Sequence, residues 1–530
     1  MKKLRTLLLA ITFVEALFIL CANPAYAQPY NPTIDVRHYD FSIEVSDSND
    51  VIRGQAAVTV MFRENAPGFT LDLTRRNEKG KGMTVKIVKE RGKGIRFTQN
   101  SHQLLLHSTG RPGEYHTYTI TYEGAPADGL IIANNKFGHR GFFGDNWPNR
   151  AHNWLPCVDH PSDKATLDFR ITAPDHYTVV ANGALQEEKL LAGHKKLTHW
   201  KETAPLSPKV MVIGVADFAV DHPGNAMGIP VYNYVFKENK EIGFKNYAYA
   251  LQILPFYIRH IGPYPFEKCG NVQSKTRFGG LENASAIFYF ENSVNAPGIE
   301  SLMAHEIAHQ WFGDAATETQ WQHLWLSEGF ATYMTNCYLE SKYGVDSLKA
   351  SMDNDRDKLI AFETKRLTPI VDTSVKDDYM KLLNPNSYEK GGWVLHMLRR
   401  RIGDENFWKG VSTYYATYRN KNANSADFEK IMSTVSGQDL HDFFHQWLDK
   451  PGHPKLKLEQ DYDENKKELV LSFTQTDDQL FEFPLEYLVD ETLHTIDIKD
   501  KITTVHIPLS KKPSDLRLDP NINALFSLVH

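Results

Sequence analysis

The chain has 530 residues, a formal net charge of −6, 42% hydrophobic and 23% charged residues. That length exceeds one ordinary core, so about two to four domains are expected. The composition is that of a soluble globular protein, and the mild acidity gives no electrostatic footprint for a nucleic-acid partner.

The first segment has a basic start, "MKKLR", an apolar run, "TLLLAITFVEALFIL", and a small-x-small signal, "AYA". This pattern predicts a secretory signal peptide over residues 1–27, an exported chain that is periplasmic or secreted, and a mature start near Gln28. An uncleaved anchor is the rival, but the apolar run is short for a span and a cleavage site follows it. No other run is long and apolar enough to cross a bilayer, so no membrane span is expected in the mature chain. Cys157, Cys269 and Cys337 remain beyond the signal. They make no disulfide framework, and none is close enough in sequence to another for a zinc-thiolate site.

From Tyr39 to about Phe218 the segments "YDFSIEV", "GQAAVTVMF", "HQLLLHS" and "YHTYTITYEG" alternate and are rich in β-branched and aromatic residues. They predict a large, mostly antiparallel β-domain over 28–222, closed by a boundary loop at "DHPGNAMGIP". Next, "KNYAYALQILPFYIRHIG" has helical periodicity. From Ile299 to about Leu448 helices dominate, with Asp404 expected as the N-cap of "ENFWKGVSTYYATYR". This central domain is expected over 223–450 and ends at the breaker "DKPGHP". Strands return in 451–530, where Leu469, Leu471 and Phe473 alternate with polar neighbours, as in a small β-sandwich.

The chemistry concentrates in "LMAHEIAHQWFGD", Leu302 to Asp314. His305 and His309 are four apart, about 40° round a helix and one turn from each other, so both imidazoles reach one ion. Glu306 points beside that ion, outside its ligand shell, as a general base does in H-E-x-x-H sites. The motif alone leaves a second reading open, an amphipathic helix whose Met303, Ile307 and Trp311 face a core. A catalytic zinc needs a third protein ligand and an open fourth position. Glu328, in "WLSEGFATYMTNCYLE" among Trp325, Leu326 and Phe330, suits that place; a carboxylate favoured by a helix N-terminus is its plain alternative.

H-E-x-x-H, eighteen residues and then Glu is the gluzincin spacing. "HEIAHQWFGD" with "WLSEGFA" resembles the aminopeptidase N and leukotriene hydrolase family. "FGGLENASAIFYFE" resembles its G-x-M-E-N segment, with Leu281 in place of Met. "YEKGGWVLHMLR", "LPCVDHPSDKATLDF" and "GPYPFEK" resemble three further family segments. The resemblance implies an α+β multidomain chain: an N-terminal antiparallel β-saddle, a thermolysin-like, mainly helical catalytic domain, and a C-terminal β-sandwich. It implies one Zn2+ per chain on His305, His309 and Glu328, with Glu306 and Tyr388 catalytic. It also implies peptide substrates with a free N-terminus, with Gly279, Gly280, Glu282 and Tyr289 at the substrate and removal of the N-terminal residue. A core aromatic is the alternative for Tyr289, and a helix-end carboxylate is the expectation for Asp314 rather than a partner of a metal ligand. Family members often present a Gln or Glu upstream of the P-C signature to the substrate amine; "GFFGDNWPNRAHNW" shows no clear equivalent. An epoxide hydrolase, a zinc endopeptidase and a non-catalytic binding protein are the rival functions.

Overall fold

The computed structural model describes residues 30–529. The expected signal peptide, residues 1–27, lies outside the described residues. Among those described, no helix is long and apolar enough to cross a membrane. Cys157, Cys269 and Cys337 are all buried and unbridged.

Three of the four alternating segments join an eight-stranded sheet, while "HQLLLHS" supplies Gln103–Leu106, the middle strand of a separate three-stranded sheet. The spatial order of the eight-stranded sheet is Ala184–Leu191, Lys195–Leu206, Ala165–Pro174, Ile34–Glu44, Ile52–Phe62, Tyr115–Ala125, Gly82–Glu90 and Lys93–Gly94. All neighbours are antiparallel except Ile34–Glu44 against Ala165–Pro174. Phe41, Ile43, Val58, Val60, Tyr118 and Ile120 point into the core while their neighbours stay partly exposed. That is the half-buried pattern which period-two alternation encodes.

A five-stranded sheet follows, in the order Phe218–Ala226, Ile229–Phe236, Cys269–Ser274, Ala286–Phe290 and Gly280–Leu281. Here the structure differs from the sequence reading. The segment expected as a boundary loop is a hairpin, Phe218–Ala226 paired with Ile229–Phe236. Met227 and Gly228, both with positive φ (49° and 90°), make its two-residue turn. Such turns match the right-handed twist of the strands they join. The boundary expected at residue 222 therefore falls inside a strand of the central sheet.

Helices α1 (Lys240–Tyr247), α2 (Ala250–His260), α3 (Ile299–Ala308), α4 (Trp325–Tyr343), α5 (Val345–Glu363), α6 (Gly391–Ile402), α7 (Asp404–Tyr418) and α8 (Ser425–Ser436) build the central region. Asp404 is not an N-cap: it is the first residue of α7, behind Gly403, and no side chain caps that end. Its carboxylate is taken instead by the Arg399 guanidinium, at 2.9 and 2.7 Å. α3 packs against both the sheet edge at Gly280–Leu281 and α4, and α5 packs on α4. The tail forms two small sheets, one centred on Glu468–Gln475 and one on Phe483–Val489. Phe473 and Tyr487 meet across them with ring centroids 6.3 Å apart.

Candidate active site

α3 carries His305 and Glu306. It stops at Ala308, but His309 keeps right-handed helical backbone (φ −58°, ψ −25°), so the four-residue spacing survives the helix end. Glu328 stands in the first turn of α4. The Nε2 atoms of His305 and His309 lie 3.1 Å apart. Glu328 Oε2 is 3.4 Å from the first and 3.2 Å from the second. Donors on one face of a tetrahedron with bonds of about 2.0–2.1 Å stand about 3.3–3.4 Å apart, so the triangle fits a zinc ion. Among the described residues, these three are the group of His, Cys, Asp and Glu whose ligand atoms come this close.

The electrostatics make the same demand. Burial alone would strip the His309 proton, yet Glu328, Glu282 and Glu306 outweigh it and hold that imidazole up at about 10. Burial would raise the Glu328 carboxyl, but His309 and His305 hold it far below the usual range. Two imidazole nitrogens and a carboxylate oxygen that converge on one point need positive charge there. The His309 ring is fixed from behind: its Nδ1 lies 3.1 Å from the Phe312 carbonyl and 3.0 Å from Ser327 Oγ. An Nδ1–H donating to that carbonyl leaves the Nε2 lone pair free for a metal. Sequence reasoning missed Ser327, because its partner is eighteen residues away and only the crossing of two helices joins them.

Glu306 sits beside the donors. Burial, with Glu282 and Glu328 adding to it against His309, pushes its carboxyl well above the usual range. A Cβ at position 280 would run into the Glu306 carboxyl, so Gly280 makes room for that acid. Gly279 has open space where its Cβ would be, with only Leu302 Cδ1 at 3.9 Å. Tyr388 lies in a π-helical turn, Asn386–Lys390, ahead of α6 rather than in the helix itself. Its ring stacks on His305, centroids 6.0 Å apart and 12° from parallel. Burial and the neighbouring Glu328, Glu282 and Glu306 push the phenol far up, so it stays a donor. Gly329 and Gly391 let α4 and α6 meet here: a Cβ on either would lie 2.9 Å from the other's Cα.

A cavity of about 490 Å³ joins these groups, lined by Trp147, Gly279, Gly280, Glu282, Glu306, the three metal donors and Tyr388 at one end. Glu282 is almost fully buried, and its Oε1 has no hydrogen-bond partner. The Gln310 amide holds the Glu282 backbone, donating to its carbonyl at 2.8 Å and to Asp314 Oδ2 at 2.9 Å. Asp314 is wholly buried with its carboxylate accepting from Gln310, so it is not a solvated helix-end carboxylate. Tyr289 does not line the cavity. It is fully buried in the sheet, with its hydroxyl 3.3 Å from Asn271 Oδ1 and its ring against Tyr247, which corrects its expected place at the substrate. In the segment upstream of Pro156, the Asp145 carboxylate is taken by Arg150, Thr276 Oγ1 and the Arg277 amide. Trp147 is the residue of that segment that reaches the cavity.

A buried two-histidine, one-glutamate metal centre between a mixed sheet and a helical bundle, flanked by a free carboxylate, is the class of site that zinc peptidases use. Residues 36–208 match the Peptidase M1 N-terminal domain and residues 247–447 match the Peptidase family M1 domain. The chain belongs to peptidase family M1. It is 25% identical to "Probable aminopeptidase 2" of Sulfurisphaera tokodaii, over 81% of this chain and 58% of that protein. It is also 25% identical to "Leucyl aminopeptidase" of Saccharolobus solfataricus, over 71% of this chain and 50% of that one. The chain thus spans little more than half the length of these relatives. An M1 zinc metallopeptidase from Deinococcus radiodurans superposes with a TM-score of 0.68 at 25% identity, over 80% of this chain and 95% of that one. The family is one of zinc metallopeptidases, and His305, His309 and Glu328 form a group that could hold the ion.

Proposed function

We propose that this protein is a zinc aminopeptidase that removes the first residue of peptides with a free N-terminus. The observation that carries the reading is the buried, partnerless Oε1 of Glu282 in the same cavity as the three metal donors. A buried carboxylate oxygen left without a partner is costly unless a ligand completes it. An α-ammonium does so through a charge-assisted hydrogen bond and fixes the substrate end, so only the first peptide bond reaches the donors. An endopeptidase has no use for such a group at this place.

Zinc on His305, His309 and Glu328 supplies a Lewis acid that makes water acidic near neutral pH and polarises a carbonyl. Glu306, as its carboxylate, takes a proton from the attacking water and passes it to the departing nitrogen, which returns it to its starting form. The Tyr388 hydroxyl donates to the carbonyl oxygen as charge gathers there. Gly280 keeps Glu306 in place, and Gly279 leaves the strand edge open to the substrate backbone. Export is part of the reading and rests on the residue pattern of 1–27.

The test is hydrolysis of leucine amide before and after treatment with a chelator. Loss of activity, and recovery with zinc, is expected. His309→Ala is expected to lose both metal and activity. A full zinc complement in that variant, or hydrolysis indifferent to metal removal, contradicts the assignment.

A further inference from the structure

The cavity does not end at the metal donors. It continues past Thr332 and Thr335 of α4 to a second polar group formed by Asn336, Asp355, Lys358 and Glu389. Asp355 is almost fully buried and accepts from Asn336 Nδ2 at 3.0 Å. The half-exposed Lys358 stands between two carboxylates, its Nζ 3.6 Å from Asp355 Oδ1 and 3.3 Å from Glu389 Oε1. Both distances exceed the 2.7–2.9 Å or so of a close charge-assisted pair. One loosely held cation is shared by two acids, and this end of the cleft carries surplus negative charge. Burial pushes both the Asp355 and the Glu389 carboxyl upward, against the opposing pull of Lys358.

The direction of the cleft follows from the packing. Glu282 follows the sheet-edge strand that packs on α3, whereas Asp355 and Lys358 are on α5, which packs on α4. The metal donors come from α3, its C-cap and α4, between these two ends. A peptide with its amine at Glu282 and its first carbonyl at the donors sends its next residue toward α5. We propose that the Asp355–Lys358–Glu389 end of the cleft receives the side chain after the scissile bond and selects a basic residue, arginine or lysine. This rests on the aminopeptidase reading above. A guanidinium or ammonium placed there pairs with the under-compensated carboxylates, and Lys358, exposed and flexible, swings out to water. An acidic side chain meets two like charges.

The experiment compares the tripeptides Ala-Arg-Ala, Ala-Leu-Ala and Ala-Glu-Ala, with alanine amide as a substrate that has no second residue. The zinc-loaded wild-type enzyme is expected to release alanine from Ala-Arg-Ala with kcat/KM at least about tenfold above Ala-Glu-Ala, the worth of one hydrogen bond to a charged group. Two substitutions move the Arg-to-Glu ratio in opposite directions. Asp355→Asn lowers it by removing a carboxylate, and Lys358→Met raises it by removing the competing cation. A purely structural disturbance does not produce opposite signs. Lys358 is half-exposed, so that variant decides the matter even if Asp355→Asn fails to fold. Hydrolysis of alanine amide together with kcat/KM values within about twofold for the three tripeptides overturns this inference alone. So does a Lys358→Met ratio that stays put or falls. Failure on alanine amide and on all three peptides overturns the aminopeptidase reading and this inference with it.

Discussion

Where the N-terminal strands meet the helical region, the Lys164 ammonium is buried and uses all its protons. It donates to the Asp314 carbonyl at 2.9 Å, the Ala315 carbonyl at 2.8 Å and Thr317 Oγ1 at 2.8 Å. In the cleft some residues away, Glu282 is just as buried, and one of its oxygens has nothing to accept from. Both groups pay for desolvation; burial takes Lys164 down to about 7 and raises Glu282. At the seam the partners are built into the chain, so the charge serves the fold. In the cleft the partner is left out, and a fold that keeps a partnerless acid beside three metal donors is arranged for a ligand that brings the missing charge.

That contrast can be broken at either side. Glu306→Gln is expected to show the largest effect, a loss of about 10²–10⁴ in kcat with zinc content intact, because the base is not a ligand. Full activity in that variant removes the base from its role. Tyr388→Phe keeps the ring stacked on His305 and removes only the donor. It is expected to lower kcat about 10²–10³-fold with KM little changed. At the seam, Lys164→Met is expected to cost about 3 kcal/mol of stability, seen as a lower thermal midpoint, while kcat on leucine amide stays within about threefold. An unchanged midpoint with lost activity erases the distinction between the two regions.

The smallest effect concerns another closed group, His396. Its Nε2–H donates to the Ile522 carbonyl at 3.0 Å, and its Nδ1 accepts from the Tyr333 hydroxyl at 3.0 Å. Burial, with Arg400 adding to it, holds this imidazole down at about 3. The unfolded chain takes up that proton near pH 6.5, the folded one only near its lowered value. The stability contributed by the neutral ring is therefore complete above about pH 6.5 and is lost at about 1.4 kcal/mol per pH unit as the pH falls toward 3. Urea unfolding of His396→Gln between pH 6 and 4 is expected to show a pH slope shallower by about one proton. An identical slope contradicts the buried neutral histidine.

The metal centre was legible in the sequence because its geometry is local. Four residues on a helix bring His305 and His309 together wherever the helix packs, and the third donor was found through family spacing. The strands Ile34–Glu44 and Tyr115–Ala125 were legible for a similar reason, since alternation records which side faces the core. What stayed hidden depends on contacts between distant segments. Ser327 behind His309, Gln310 behind Glu282 and the Asp355–Lys358–Glu389 group have no short-range signal. Tyr289 sits in a motif that lines the cleft and lies opposite Gly280 in the sheet, but its ring packs on Tyr247 and its hydroxyl reaches Asn271, whereas Gly280 and Glu282 line the cavity. The hairpin at Met227–Gly228 was hidden by a run of Pro, Gly and Asn that suits a loop equally well, and Asp404 was drawn off its expected cap by Arg399.

The central claim is that the open acid in the cleft waits for a free amine. Its most direct test is kcat/KM for one peptide with its N-terminus free and acetylated, measured on the zinc-loaded wild-type enzyme. The acetylated peptide cannot supply the ammonium and leaves Glu282 facing a neutral amide, so a preference of at least about 10²-fold for the free peptide is expected. Equal values for the two forms would contradict the account.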